Sequence, residues 1–434
     1  MPDNKPGGRN NSPNKGLVVA GTASRTGKTT VTLAALRAMA RRGIRLSSAK
    51  IGPDFIDPEF HRAATGKRSV NLDGYAMGED TLSRLLFSLS RDADFTLIEG
   101  VMGLFDGSVS GAGSTADIAQ RFKLPVVLVV DVSGQSASVG AVVKGFRDFR
   151  PDVKVAAVIL NRVANERHEK MCRDALPEQE CPVVSALPHE PSLVKEHRHL
   201  GLKQAEEIPE LEQMLERAAD WFEAHTDWEL FLSLFAPMDI TKEENQREWG
   251  ISPFGSHIAV ASDVAFRFFY PHLALAWRSR GARISCFSPL ADEAPPADAD
   301  AIYLPGGYPE LHAQKISGNK NFLNALREAS GRSVKIYGEC GGYMVLGESL
   351  RDASGTSYPM AGLLPVKTSI HEPKRQLGYR EAVLHNDALC EKAGCRFRAH
   401  EFHYASIESA QPYSNSLRPL FETQDAAGAS LGSI

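Results

Sequence analysis

The sequence predicts an α/β protein of two domains, on three observations. At 434 residues the chain exceeds what one hydrophobic core usually organises. Short, continuous apolar runs alternate with helix-prone stretches from Gly16 to about Leu187. A second series of the same kind begins at His257, after a charged and proline-broken interval. Apolar runs that are continuous mark strands covered on both faces, and their exchange with helices marks a doubly wound parallel sheet.

In chain order, Met1–Lys15 is polar, rich in Asn, Gly and Pro, and reads as a disordered tail (1–15) without the apolar core of a signal peptide. The first domain, 16–240, opens with strand Leu17–Ala20. The helix after it carries Val31, Leu33, Leu36 and Met39 and ends at Gly43, a C-terminal capping residue. Further strands are expected at Phe95–Ile98, Val126–Val130 and Val155–Leu160, followed by acidic, helix-prone sequence from Ala205 to Phe235. A linker is expected over 241–255, where charged Thr241–Trp249 runs into Ser252-Pro253-Phe254-Gly255. The second domain, 256–434, has strands at His257–Ala261, Arg283–Phe287, Ala301–Leu304 and Val334–Tyr337, and its last ~20 residues read as a polar tail.

Composition narrows the function. Apolar content of 43% and charged content of 24% belong to an ordinary globular protein. Net charge −4 and pI ≈ 6.4 argue against a nucleic-acid partner or an anionic membrane surface. No apolar run approaches the ~18–20 residues that cross a bilayer. The six cysteines are scattered without a CxxC pair, which fits reduced thiols and a cytoplasmic location. Cys390 and Cys395 have the spacing of a metal pair, but nothing nearby completes a ligand set.

Strand Leu17–Ala20 runs into Gly21-Thr-Ala-Ser-Arg-Thr-Gly27-Lys28-Thr29-Thr30 and then a helix. Phosphate binding needs this layout: glycines let N–H groups converge, the helix N-terminus is positive, Lys28 neutralises phosphate and the Thr29 hydroxyl can take Mg²⁺. The gap between Gly21 and Gly27 is one residue longer than the standard P-loop spacing. Glu99 closes strand Phe95–Ile98, where a carboxylate either reaches the nucleotide metal or is a surface glutamate. Asp54 is a second carboxylate at a strand exit. Asn161, after Val155–Leu160, either reads an adenine edge or forms a turn.

In the second half, strand Val334–Tyr337 leads to Gly338-Glu339-Cys340-Gly341-Gly342 and a helix. A cysteine between glycines at such a turn exposes its sulfur at a helix N-terminus, as a nucleophile does; the alternative is a buried structural thiol. Gly306 and Gly307 follow strand Ala301–Leu304, and their amides, with that of Gly341, can form an oxyanion hole. His400-Glu401-Phe402-His403-Tyr404 offers a base.

These motifs, in this order, resemble the cobyrinic and hydrogenobyrinic acid a,c-diamide synthase family. The resemblance runs from about Gly16 to Ser406. Its specific pieces are Lys50–Pro58, Asn71–Asp73, Glu99–Gly107, Arg198–Leu202, Pro305–Pro309 and His400–Tyr404. The front half is similar to dethiobiotin synthetase, with the same P-loop gap, and the back half to triad glutamine amidotransferases. The resemblance implies an N-terminal P-loop parallel sheet domain and a C-terminal amidotransferase-like α/β domain. It implies that ATP phosphorylates a carboxylate of a corrinoid polycarboxylic acid, that L-glutamine is hydrolysed at the cysteine, and that the ammonia attacks the acyl phosphate.

By motif, the resemblance makes Lys28, Thr29 and Lys50 phosphate or metal groups, with Asp54 and Glu99 at Mg²⁺. Asp106 becomes a substrate-positioning or acid–base carboxylate, Asn161 an adenine contact, Cys340 the nucleophile and His403 its base. Related glutaminases carry an acid two residues after the histidine; here that position is Ala405, so a Cys–His dyad or an orienting group from elsewhere is implied. The lysine typical of partition ATPases would fall at Ala23, against a P-loop switch protein. A sister amidase such as cobyric acid synthase would be expected to differ from Gly52–Pro58. Between metal-free hydrogenobyrinate and cobalt-containing cobyrinate, overall likeness favours the former. A homodimer stays open.

Overall fold

The computed structural model describes residues 14–109, 111–176, 179–193, 208, 210–240, 249–410 and 418–434. The Arg198–Leu202 motif, most of the N-terminal segment and 241–248 of the expected linker lie outside the described residues. Contacts group the chain into two units, residues up to Glu244 and residues from Asn245, with Tyr75–Gly78 and Ser108–Ser110 counted in the second.

The first unit alternates strands and helices: β1 (Lys15–Gly21), α1 (Lys28–Arg41), β2 (Leu46–Ile51), α2 (Ile56–Thr65), β3 (Ser69–Leu72), α3 (Glu79–Ser90), β4 (Phe95–Gly103), α4 (Thr115–Arg121), β5 (Val126–Asp131), α5 (Ser138–Phe149), β6 (Val155–Val163), α6 (Glu166–Asp174) and β7 (Val183–Pro188). The strands lie in the order β3-β2-β4-β1-β5-β6-β7, every pair parallel. Leu17, Val19, Leu97, Val127 and Ile159 join Leu33, Leu36 and Met39 in one core, as continuous apolar strands require. α1 stops at Arg41, and Gly43 follows with φ 69°, the left-handed residue expected after the helix end.

The acidic stretch forms α7 (Leu211–Ala224) and α8 (Trp228–Ser233), after which β8 (Ala236–Pro237) pairs antiparallel with β1. Leu211, Met214, Leu215, Ala218 and Phe222 bury against α1, while Arg37 and Arg41 pair with Glu212, Glu216 and Asp220. Burial holds this helix in place, because exposed ion pairs contribute little.

Two strands are longer than their apolar runs. β4 continues past Ile98 to Gly103 and β6 past Leu160 to Val163, so Glu99 and Asn161 lie inside strands, not beyond them. A buried strand accepts polar residues when each is bonded internally. Both are, as described below.

The second unit begins with β9 (His257–Ala261), α9 (Pro271–Ser279), β10 (Arg283–Phe287), β11 (Ala301–Leu304), α10 (Ala313–Gly318), α11 (Lys320–Gly331), β12 (Lys335–Gly338) and α12 (Gly341–Leu346). Its parallel sheet has the order β10-β9-β11-β12. Ile302, Leu304, Phe322, Leu326 and Val345 fill one face; Ile258, Val260, Trp277 and Tyr303 fill the other.

Beyond α12 come β13 (Ser349–Arg351), β14 (Ser357–Pro359), β15 (Val366–Ser369), β16 (Gln376–Leu384), β17 (Arg396–His403), β18 (Ser406–Ala410), β19 (Phe421–Asp425) and β20 (Ser430–Ser433). They build two four-stranded sheets, ordered β14-β13-β15-β18 and β17-β16-β19-β20. The expected polar tail is therefore corrected. Phe421–Asp425 pairs antiparallel with β16, and β20 covers β19. All of β20 is exposed, so its sequence carries no apolar alternation to betray it.

Candidate active site

The end of β1 turns into a loop that closes on α1. Arg25 and Gly27 take left-handed backbone, φ 69° and 89°. A Cβ on Gly27 would stand 2.2 Å from Asn161 Nδ2, and one on Gly21 would stand 2.4 Å from Thr26 Oγ1. The N-cap of α1 is Gly27, which has no side chain to bond the first N–H groups, the arrangement that receives phosphate. Lys28 is the first helical residue and is buried. Burial and then the Lys50 charge lower its ammonium, against the pull of Glu99, Asp57 and Asp54.

Strand register sets Lys50 opposite Glu99. Glu99 is fully buried; its Oε1 accepts from Thr29 Oγ1 at 2.6 Å and Lys50 Nζ at 2.9 Å, and its Oε2 meets His61 Nε2 at 2.8 Å. Lys50 Nζ also pairs with Asp57 Oδ2 at 2.5 Å and donates to the Gly100 carbonyl at 3.1 Å. Burial by itself would raise Glu99, but Lys50, then His61 and Lys28, outweigh it and hold this carboxylate well below the usual range. Burial likewise pulls Lys50 down, while Asp57, Glu99 and Asp54 carry it above its ordinary value. Asp57 is raised, first by burial and then by Asp54 and Glu99. Among the described residues no group of three His, Cys, Asp or Glu could hold a metal ion alone.

Asn161 braces the loop. Its Nδ2 donates to the Thr26 carbonyl at 2.8 Å and its Oδ1 accepts from Arg162 N at 2.9 Å. One N–H and one lone pair of the amide are thus engaged, which leaves a second N–H and a second lone pair for an adenine edge. Arg162 pairs with Asp131 and donates to the Arg25 carbonyl at 3.2 Å, a second brace. Leu104 N donates to the Gly21 carbonyl at 2.9 Å, which ties the segment after β4 to the same loop. That segment carries Asp106, exposed, whose Oδ2 accepts from Gly103 N at 2.9 Å. Asp54 lies two residues before α2 and accepts from Ile56 N at 2.9 Å.

In the second unit, Cys340 joins β12 to α12 with φ 50° and ψ −113°. A non-glycine residue held there costs on the order of 1–3 kcal/mol, which its surroundings must impose. They do: a Cβ on Gly342 would lie 1.9 Å from the Leu304 carbonyl oxygen, and one on Gly306 3.1 Å from Cys340 Cβ. The side chain is exposed at its outer edge, yet crowding pushes the thiol up to about 11. The Gly307 and Gly341 N–H groups donate to the sulfur and oppose this rise; the Glu310 and Glu339 carboxylates add to it. Two of the three expected oxyanion glycines thus aim amides at the nucleophile, and Gly306 packs beside it. Glu339 is half-buried and accepts from the Tyr303 hydroxyl.

His403 ends β17. Its Nδ1 faces the Ala405 carbonyl oxygen at 2.8 Å, and its Nε2 faces Glu401 Oε1 at 2.8 Å. Alternation along a strand puts residues two apart on one face, so Glu401 and His403 meet. Glu401 in turn accepts from Arg380 Nε at 2.7 Å. Burial would raise this carboxylate, but His403 and Arg380 outweigh it and keep it below the usual range. The missing acid at position 405 is thus replaced by a backbone carbonyl at the same place. Among the described residues no hydrogen bond joins Cys340 to His403; Glu401 occupies the nitrogen that would make it.

Comparison with known proteins reports the same two halves. Residues 17–200 match the CobQ/CobB/MinD/ParA nucleotide binding domain, and 257–430 match the CobB/CobQ-like glutamine amidotransferase domain. A protein from Brucella abortus named hydrogenobyrinate a,c-diamide synthase is 50% identical over 425 residues, 96% of this chain and 94% of that one. The chain belongs to the a,c-diamide synthase family. Proteins of the same name from Rhizobium meliloti and Mesorhizobium japonicum are 46% and 44% identical, each across 96% of this chain and 95% and 94% of their own length.

For this a,c-diamide synthase family member, sequence reasoning missed four polar residues that the structure brings to the sites. Asp57 and His61 lie on α2 within the quoted motif or just past it, and both face the Lys50–Glu99 pair. A carboxylate and an imidazole at i and i+4 share one helix face, a signal the reading could have used. Glu401 stands between the two histidines of His400–Tyr404, and Glu310 sits one residue past Pro309.

Proposed function

We propose that the chain amidates the a and c carboxylates of hydrogenobyrinic acid, using ATP and L-glutamine. What carries the reading is the presence in one chain of two separate chemical devices: a phosphate loop over a hydrogen-bonded Thr29–Glu99–Lys50 cluster, and a strained cysteine faced by two amides. The macrocycle itself rests on the name shared by the relatives.

At the first site, α1 and Lys28 receive the nucleotide phosphates, with Gly27, Thr29 and Thr30 at the helix start, Asn161 holding the loop and Lys50 adding charge. Mg²⁺ fits the pair of Thr29 hydroxyl and Glu99 carboxylate, which lie 2.6 Å apart, with Asp54 nearby; it would neutralise phosphate charge. The γ-phosphoryl passes to a substrate carboxylate oxygen, releasing ADP and leaving an acyl phosphate. Asp106 positions the macrocycle.

At the second site Cys340 attacks the glutamine amide carbon, Gly307 and Gly341 N–H groups receive the oxyanion, and His403 moves the proton to the departing ammonia. Water then releases glutamate from the thioester. Ammonia displaces phosphate from the acyl phosphate, forming the amide.

The test supplies purified protein with Mg²⁺, ATP, L-glutamine and either hydrogenobyrinate or cobyrinate, and follows products by mass. Diamide from hydrogenobyrinate at the higher kcat/KM supports the reading. Preference for cobyrinate moves the substrate to the cobalt form, and ATP hydrolysis without any amide removes the amidase reading altogether.

A further inference from the structure

Glu310 has no role in the chemistry so far, and its surroundings ask for one. It lies in a tight turn, Pro309–His312, that packs on the N-terminus of α12. The packing is close: a Cβ on Gly341 would stand 2.6 Å from Pro309 Cδ and 3.1 Å from the Gly307 carbonyl oxygen. The residue after Pro309 is therefore fixed beside the nucleophile and its oxyanion amides.

Glu310 also lines a cavity of ≈ 590 Å³, with His312, Lys315, Asn319, Asp352 and Tyr358. That is within the range of small-molecule sites. Among the described residues no cation pairs with the Glu310 carboxylate, and its own N–H alone works against the effect of burial. Burial pushes it up to about 7, and its charge raises the Cys340 thiol. A recessed carboxylate without a counter-ion is costly in the free protein, and a cationic ligand relieves it.

We propose that Glu310 binds the α-ammonium group of L-glutamine while the side-chain amide of the same molecule lies at Cys340. The inference rests on the glutaminase reading above and deepens it. An ammonium on Glu310 cancels the negative charge that opposes thiolate formation, so the correct substrate also favours its own nucleophile. An amide lacking the amine does neither.

The experiment compares L-glutamine with glutaramate, the same acid amide without the α-amino group, in glutamate- or glutarate-release assays on the full chain. Wild type should prefer L-glutamine in kcat/KM by about 10- to 100-fold, the range for a hydrogen bond to a charged group. Glu310→Gln should bring the two substrates within about threefold, mainly through a higher KM for L-glutamine. The ratio is taken on one preparation, so a partly folded fraction cancels. A variant that keeps the wild-type preference overturns the subsite while leaving the glutaminase intact. A wild-type chain that hydrolyses neither amide overturns the glutaminase reading, and the subsite with it.

Discussion

Gly27→Ala tests how the phosphate loop is held. Gly27 has φ 89°, and its Cβ would stand 2.2 Å from Asn161 Nδ2. Left-handed backbone costs an alanine about 1–2 kcal/mol. Asn161 must also move, which breaks its bond to the Thr26 carbonyl and leaves a buried acceptor, roughly 2 kcal/mol more. Gly43→Ala is the control: its φ is 69°, but nothing lies within 4 Å of a Cβ there. Both variants pay the backbone strain, and only the first adds the collision. In scanning calorimetry of the full chain, the transition that nucleotide shifts upward identifies the first unit. Its Tm should fall about 4–8 °C further for Gly27→Ala than for Gly43→Ala, and nucleotide affinity should drop in the first variant alone. Equal Tm losses in the two variants would refute the bracing role of Asn161.

Four other outcomes follow from the sites. Glu99→Gln and Lys28→Ala should abolish amide formation with glutamine and with ammonium salts alike, since both act before the nitrogen enters; normal turnover in either would remove it from the phosphoryl-transfer step. Glu99 is held below its unfolded value, so it contributes stability above the ordinary carboxylate range that is lost as pH falls. The first unit of Glu99→Gln should therefore lose less Tm than wild type between about pH 5 and pH 3, although it starts about 3–5 kcal/mol weaker because Lys50 loses a buried partner. His403→Ala should lower glutaminase activity about 10²- to 10⁴-fold and spare ammonia-driven amidation; full glutaminase activity would assign the base elsewhere. Because the free thiol of Cys340 lies near 11, its alkylation by iodoacetamide should climb steadily from about pH 7 to pH 10. A plateau near neutral pH would show a thiolate that the structure does not hold.

The phosphate loop and the cysteine elbow were legible because each is local. Gly27-Lys28-Thr29 follows a continuous apolar strand, and Cys340 sits between glycines whose need is sharp; Gly342 has no room for a Cβ at all. The partners of those residues were not legible, because they arrive through sheet register and not through sequence spacing. Glu99 meets Thr29, Lys50 and His61 from positions 70, 49 and 38 residues away. Nothing local distinguishes it from an exposed strand-end glutamate. The orienting group of His403 was hidden for another reason: Ala405 serves through its carbonyl oxygen, and backbone atoms leave no mark in residue type. The C-terminal sheets escaped because β20 is short and exposed along its whole length.

The most direct measurement of the central claim is amide formation by Cys340→Ser with two nitrogen sources, ammonium chloride and L-glutamine, at saturating ATP and hydrogenobyrinate. Two separate devices in one chain predict that the variant forms diamide from ammonium at the wild-type rate and none from glutamine. Loss of both activities, or survival of glutamine-driven amidation, would contradict the division of labour between the phosphate loop and the cysteine.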